Sequence, residues 1–138
     1  MANLFAKLQL KDCQEWKAEG LAISTTSNEA AKLLDSGIAQ YVALYEDPQM
    51  GGLDGTFLKM MNADPKFVMG RVLIQNLELL SSGKSIRKDQ DLKREVDQLQ
   101  LDANSMPELS WREKQHVHAV KFMSEGLEIC CNAVVIAN

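Results

Sequence analysis

The chain has 138 residues, a length that fits a single domain with a modest hydrophobic core. Its formal net charge of −4 argues against a broad electrostatic grip on nucleic acid or on anionic lipid. Apolar residues make up 46%, charged residues 25% and aromatic residues 6%, and β-branched residues do not alternate with polar ones. This composition predicts an all-α fold.

The N-terminal residues, the hydropathy and the cysteines of the chain predict its cellular compartment. Residues 1–10 contain no apolar run long enough for a signal sequence, and Lys7 interrupts them. No stretch approaches the roughly 20 apolar residues of a membrane span. Cys13, Cys130 and Cys131 are an odd number with two adjacent, which indicates reduced thiols and not a disulfide framework. We therefore expect a cytoplasmic protein. No further Cys or suitably spaced His supports a metal site at the vicinal pair.

The first helical elements are marked by capping residues. A short amphipathic turn is expected before Gly20. Thr26 and Glu29 then lie three positions apart, the spacing of a capping box, and Ser27 or Asn28 could take the cap in another register. The sequence therefore predicts a helix start within this hydroxyl-rich segment.

Two apolar stripes follow and predict a pair of packed helices. Asp47-Pro48 and the glycines at 51 and 52 separate the two helices. The first stripe has spacings of four, three and four: Leu34, Ile38, Tyr41 and Tyr45. The second stripe is expected to pack back on the first: Leu53, Phe57, Met60 and Met61.

A third helix is predicted to start at Asp64-Pro65, where proline's missing amide costs nothing, and to stop at Gly83. Glycine inside a helix costs about 1 kcal/mol relative to alanine, so Gly70 predicts a close contact with another helix. The expected inner face contains four residues: Phe67, Gly70, Ile74 and Leu77.

Two more helices are predicted in the second half of the chain. The fourth runs from about Asp89 to Leu101, with an ion pair between Asp89 and Lys93 and an apolar face of Leu92, Val96 and Leu99. Ser110 and Glu113 form a second capping-box signature before the fifth. Its expected apolar side contains Val117, Val120, Met123 and Leu127. Short connections make neighbouring helices antiparallel.

No residue emerges as a candidate for catalysis, cofactor binding or metal binding. His116 and His118 project about 200° apart on a helix, so they cannot chelate one ion together. The hydroxyls of residues 24–27 are explained by capping, and Gly51-Gly-x-x-Gly55 lacks the lysine and strand of a phosphate-binding loop. Trp16 and Trp111 are expected to anchor helix starts to the core. The mixed charges of residues 84–97 lack interleaved aromatics and do not predict a nucleic-acid site.

One degenerate helical repeat is visible. Tetratricopeptide repeats recur at about 34 residues and place proline at the exit of the second helix. With Pro65 at that exit, Phe57 and Leu53 occupy acceptable positions, but Tyr41 falls where a small residue is usual. No second copy aligns with the first.

Six segments in chain order resemble the N-terminal region of the tetratricopeptide repeat protein 38 family. They are DCQEWK (12–17), ISTTSNEA (23–30), QYV (40–42), GGLDG (51–55), ADPKFVMG (63–70) and REKQHVHAV (112–120). The resemblance extends from about Asp12 to Gly126. It implies a soluble, all-helical α-solenoid several times longer than this chain, and it supplies no catalytic residues.

The resemblance ends after Gly126, which divides the chain into a helical repeat region, 1–126, and a divergent tail, 127–138. The tail is apolar, β-branched near its end, and lacks the polar face of a terminal capping helix. We expect a truncated product, a splice variant or an incomplete gene prediction; the alternative is a buried C-terminal strand or helix. With fewer than three stacked units, we expect marginal stability or self-association through Leu127–Ala137.

Two functions follow as hypotheses. The first is a non-enzymatic interaction scaffold for an unidentified protein or peptide, without nucleic acid or cofactor. The second is the helical N-terminal part of an enzyme whose site lies beyond the end of this chain. Architecture and resemblance favour the scaffold.

Overall fold

A computed structural model describes residues 9–126, and this part of the chain contains six α-helices and no strand. They are α1 (Cys13–Ala18), α2 (Asn28–Ala43), α3 (Gly52–Ala63), α4 (Val68–Ser82), α5 (Gln90–Ser105) and α6 (Trp111–Ser124). The predicted all-α class is confirmed. The predictions about Leu127, the vicinal cysteines and the 127–138 tail lie outside the described residues. The chain divides into two compact units, Met1–Gly70 and Arg71–Asn138.

In the first unit, α1 is fixed at its start by a capping box and held to α2 by a tryptophan. The Asp12 carboxylate accepts from the Glu15 amide at 2.9 Å, and the Glu15 carboxylate accepts from the Asp12 amide at 2.8 Å. The buried Trp16 indole donates to the Ala31 carbonyl at 3.3 Å. The Lys11 ammonium lies 5.0 Å from the ring centroid of Trp16, within cation–π range. Trp16 therefore anchors α1, as the sequence predicted.

The start of α2 differs by one residue from the first prediction. Ser27, and not Thr26, is the N-cap, and its hydroxyl accepts from the Ala30 amide at 3.1 Å. The neighbouring Thr25 is buried and donates its hydroxyl to the Asp64 carboxylate at 2.6 Å, just beyond α3. Together with the hydrogen bond from the Ser27 amide to the Thr25 hydroxyl at 3.2 Å, this contact fixes the backbone just before the N-cap.

A buried polar cluster joins α2 to α3. The Gln40 amide nitrogen donates to the Thr56 hydroxyl at 2.7 Å, and the Gln40 side-chain oxygen accepts from the Asp47 amide at 2.9 Å. Thr56 is fully buried and donates to the Gly52 carbonyl at 2.8 Å. Because these polar groups are hydrogen-bonded, they can be buried between α2 and α3. The apolar face predicted through Tyr41 is therefore wrong at that residue, which is 44% exposed.

Helices α2 and α3 run antiparallel, as the hairpin prediction required. Gln40 near the end of α2 contacts Thr56 near the start of α3, while Thr25 before α2 contacts Asp64 after α3. Helix α2 ends at Ala43, before the predicted proline break, with its C-cap in the left-handed region at a φ of 51°.

The start of α4 was also misplaced. Pro65 lies in a turn in which the Phe67 amide donates to the Asp64 carbonyl at 3.1 Å, and the helix begins only at Val68. Phe67 and Met60 are almost completely buried. A Cβ on Gly70 would lie 2.9 Å from both Met60 Cε and Phe67 Cδ1. The close helix contact expected at Gly70 is therefore present.

In the second unit, α5 begins one residue later than predicted because Asp89 is its N-cap. The Asp89 carboxylate accepts from the amides of Asp91 and Leu92, both at 3.0 Å. The expected ion pair with Lys93 is absent, since the Lys93 ammonium binds Asp97 at 2.6 Å. The predicted apolar face is confirmed, with three of its residues buried: Leu92, Val96 and Leu99.

For Gly55 and Gly70, which both lie within helices, helix propensity and packing predict opposite effects of a substitution by alanine on stability. Alanine should stabilise a helix interior by about 1 kcal/mol relative to glycine. A Cβ on Gly55, however, would lie 2.2 Å from the Met50 carbonyl oxygen, which is backbone, while a Cβ on Gly70 meets the flexible Met60 side chain. We predict that Gly55→Ala lowers the free energy of unfolding by about 1–3 kcal/mol. Gly70→Ala should lower it by less. Urea denaturation followed by circular dichroism measures both, and a Gly55→Ala variant as stable as the wild type would contradict the described turn.

Candidate interaction surface

The start of α6 is fixed by the second predicted capping box. The Ser110 hydroxyl accepts from the Glu113 amide at 3.2 Å, and the Glu113 carboxylate accepts from the Ser110 amide at 2.9 Å. Glu113 is only 1% exposed, so its side chain points into the second unit. Residues three and four apart share a helix face, and the position of Glu113 therefore sets the orientation of the whole helix.

One face of α6 packs against α5. Val117 and Val120 are buried on this face in register with Glu113, as the apolar pattern predicted. The Lys121 ammonium donates to the Gln100 side-chain oxygen of α5 at 2.8 Å and closes the edge of the contact.

The opposite face of α6 exposes two large aromatic side chains. Trp111 is 77% exposed and Phe122 is 48% exposed. They are eleven residues apart, which is about 20° around the helix and about 16 Å along it. They lie roughly opposite the row formed by Glu113, Val117 and Val120. We call the five exposed residues on this side the outer α6 face: Trp111, Gln115, His118, Ala119 and Phe122.

The expectation that Trp111 anchors the helix start to the core is wrong. Trp111 lies two residues before Glu113, a displacement of about 200° around the helix. Because Glu113 faces inward, Trp111 must face solvent. The apolar contact before the helix is made by Leu109, which is buried.

A row of basic side chains flanks the aromatic pair. Lys114, His118 and Lys121 are spaced by four and three residues and so lie along one side of the outer α6 face. The only carboxylate of α6, Glu113, is buried in the capping box. The solvent-facing surface of α6 itself is therefore aromatic and basic. His116 is also exposed, and the two histidines lie on different sides of the helix, as predicted.

A cleft of about 670 Å³ lies in the second unit between the loop after α4 and the end of α6. Apolar side chains (Leu79, Leu80 and Met123) and basic ones (Lys84, Arg87 and Lys88) line it. The Lys84 ammonium is held by Glu78 at 3.0 Å and Asp89 at 3.7 Å, and hydrogen bonding to Glu78 is the main reason that the pKa of Lys84 is raised. The charge of Lys84 is therefore balanced by carboxylates already in place at the cleft.

The hydroxyl, glycine and cysteine residues considered as possible sites have structural roles where they are described. Thr25 and Ser27 bind Asp64 and the α2 amides, and Gly52 and Gly55 belong to the start of α3. The Cys13 thiol donates to the Thr25 carbonyl at 3.4 Å, and burial, with a contribution from Asp12, raises its pKa. A raised pKa disfavours the reactive thiolate. Within residues 9–126, no cluster of three potential metal ligands occurs.

Comparison with known proteins leaves the family open. The chain matches no protein-family model and no solved structure. Among the helices of the described part, none has the length and apolar character needed to cross a membrane.

Sequence reasoning missed the outer α6 face because it followed only one apolar stripe of the helix. The signal was nevertheless present. Trp111 and Phe122 share one side, whereas Val117 and Val120 share the opposite side. A helix with apolar side chains on two opposite faces is expected to be covered on both.

The two tryptophans should differ sharply in solvent access. Trp16 is 8% exposed and Trp111 is 77% exposed. We predict that acrylamide quenches the emission of Trp111, isolated in the Trp16→Phe variant, several-fold more strongly than that of Trp16, isolated in Trp111→Phe. Fluorescence quenching of the two variants at matched helicity measures this. Equal quenching constants would mean that Trp111 is covered in the free protein.

The N-cap of α5 should make stability depend on pH in the acid range. The pKa of Asp89 is lowered below its ordinary 3.8, chiefly by the Leu92 amide and also by Lys84. A carboxyl whose pKa is lower in the folded state stabilises the fold above its unfolded pKa, and this stabilisation is lost as pH falls through the folded value. Asp89→Ala should therefore lower the melting temperature at pH 7 and have a smaller effect once the pH has fallen through the lowered folded pKa of Asp89.

Asp89→Asn is the matched control, because it retains an N-cap acceptor without a titrating charge. Thermal melts across the acid range compare the three proteins. A wild-type to Asp89→Ala difference that stays constant from neutral to acid pH would contradict the assigned role.

Proposed function

We propose that this chain is a non-enzymatic helical-repeat protein that binds a protein partner. The observation on which the proposal rests is the outer α6 face, where Trp111 and Phe122 are exposed on a helix whose other side is already packed. Tryptophan is among the residues most enriched at binding hot spots, and aromatic residues in general are enriched at protein interfaces. Exposing two of them on one face is costly in water unless a partner covers them.

The helical architecture supports the same function. The antiparallel pair α2/α3 and the packed pair α5/α6 present outward faces whose side chains are not needed for packing. The resemblance to the tetratricopeptide repeat protein 38 family supports a repeat protein, and repeat proteins use such extended surfaces for binding. On this proposal the protein acts in the cytoplasm, in keeping with the odd number of cysteines in the sequence.

Affinity purification tests the proposed function directly. The full 138-residue chain, carrying a tag, is used to capture proteins from a cell lysate, and mass spectrometry identifies what it retains. We expect a reproducible set of proteins enriched at least about tenfold over the tag alone, the enrichment that a contribution of about 1.4 kcal/mol produces.

An unfolded variant serves as the control for nonspecific binding. Val120 is completely buried, so Val120→Asp should unfold the second unit, and specific partners should be lost with it. Retention of the same proteins by the unfolded variant would identify them as nonspecific. A wild-type chain that enriches nothing over the tag would contradict the scaffold function.

A further inference from the structure

We infer that the outer α6 face docks a helical segment of a partner protein whose aliphatic stripe is flanked by carboxylates. The inference rests on the proposed scaffold function and adds the surface and the class of partner. The shape of the surface is set by Trp111 and Phe122, and its charge is set by the flanking Lys114 and Lys121.

The shape of the surface suits a helix. Trp111 and Phe122 are aligned along α6 and separated by about 16 Å, which is about three helical turns. Gln115, His118 and Ala119 lie between them along the helix and are exposed, and the side chain of Ala119 is small. Amphipathic helices bind such surfaces through apolar residues spaced three and four apart.

The charge of the surface selects an acidic partner. Lys114, His118 and Lys121 flank the aromatic pair, whereas the only carboxylate of the helix is buried. The Lys121 ammonium donates to the side-chain oxygen of Gln100 and also interacts with the Asp97 carboxylate of α5, so Lys114 is the cation with the least compensated charge on this side of the helix. Opposite charges at the rim steer association and disfavour wrong partners.

The same charges argue against other occupants. In a symmetric dimer through this face, each basic row would meet a second basic row, because the same patch is used twice. The chain's own residues 127–138 contain a single acidic side chain, Glu128, and match the basic row poorly. A net charge of −4 argues against nucleic acid.

A fluorescence titration of the full chain tests the inference. In the Trp16→Phe variant, Trp111 is the only tryptophan, and its emission should shift to the blue when an apolar segment covers it. The probe is a synthetic helical peptide of about 18 residues, long enough to span the surface, with leucines spaced three and four apart and flanking glutamates. The matched peptides carry lysine for each glutamate, or glutamine for each leucine.

We expect the glutamate peptide to bind at least about tenfold more tightly than the lysine peptide at low salt. The difference should narrow when salt rises from about 0.01 M to 1 M, because the Debye length falls from about 30 Å to 3 Å. The glutamine peptide should cause no shift. Equal binding of the glutamate and lysine peptides would overturn the charge assignment, and absence of any saturable shift would overturn the docking surface.

Matched variants place the binding on α6. Phe122→Ser should weaken the binding of the glutamate peptide at least about tenfold. Lys114→Glu should weaken its binding several-fold and strengthen the binding of the lysine peptide. Leu101→Ser removes an apolar side chain that is 63% exposed on α5, and Lys88→Glu makes the same charge change in the loop before α5. Both controls should bind like the wild type, with circular dichroism confirming equal helicity. Equal losses in the controls would overturn the assignment to α6.

Other occupants give distinct results in the free protein. If acrylamide quenches the Trp111 emission only weakly at every protein concentration, another segment of the same chain covers the outer α6 face. If the quenching becomes weaker as the protein concentration rises, a second copy of the chain covers this face. Either result overturns the inference. If affinity purification retains partners that Phe122→Ser does not affect, the inference fails while the scaffold function stands.

Discussion

Burial of the Glu113 carboxylate inside the α6 capping box determines which side chains of α6 face the solvent. A buried carboxylate is costly unless it is hydrogen-bonded, and here it accepts from both the amide and the hydroxyl of Ser110. With Glu113 turned inward, the helical period places Val117 and Val120 against α5. The same period turns Trp111 outward. The candidate binding surface is therefore a consequence of how the helix is capped.

The sequence predicted helix starts, helix ends and apolar faces correctly where these depend on residues close together in the chain. The Ser110–Glu113 box, the stop at Gly83 and the α5 stripe through Leu92 were correct because each depends on neighbours within one or two turns. Prediction failed at Gln40 and Pro65. The Gln40 amide is buried because Thr56, on another helix, accepts its hydrogen bond, and no periodicity within α2 contains that information.

The candidate surface could have been predicted only in part. The spacing of Trp111 and Phe122 was visible in the sequence, but a large aromatic residue at a helix start is compatible with either a core or a surface position. Choosing between them required knowing that Glu113 is buried, which runs against the ordinary preference of glutamate for solvent. The orientation of Trp111 therefore depends on Glu113, a residue whose charged side chain gives little reason to expect burial.

The two basic regions of the second unit differ in whether their charge is available to a partner. In the loop before α5, the Lys84 ammonium lies within 4 Å of both Glu78 and Asp89, so an approaching anion would have to compete with carboxylates already in place. On α6, the buried Glu113 is bound by Ser110 and faces away from Lys114. The charge of Lys114 is therefore not balanced by a carboxylate on the exposed side of its own helix. Since the aromatic pair lies beside this basic row, apolar burial and charge pairing can act on the same ligand at α6.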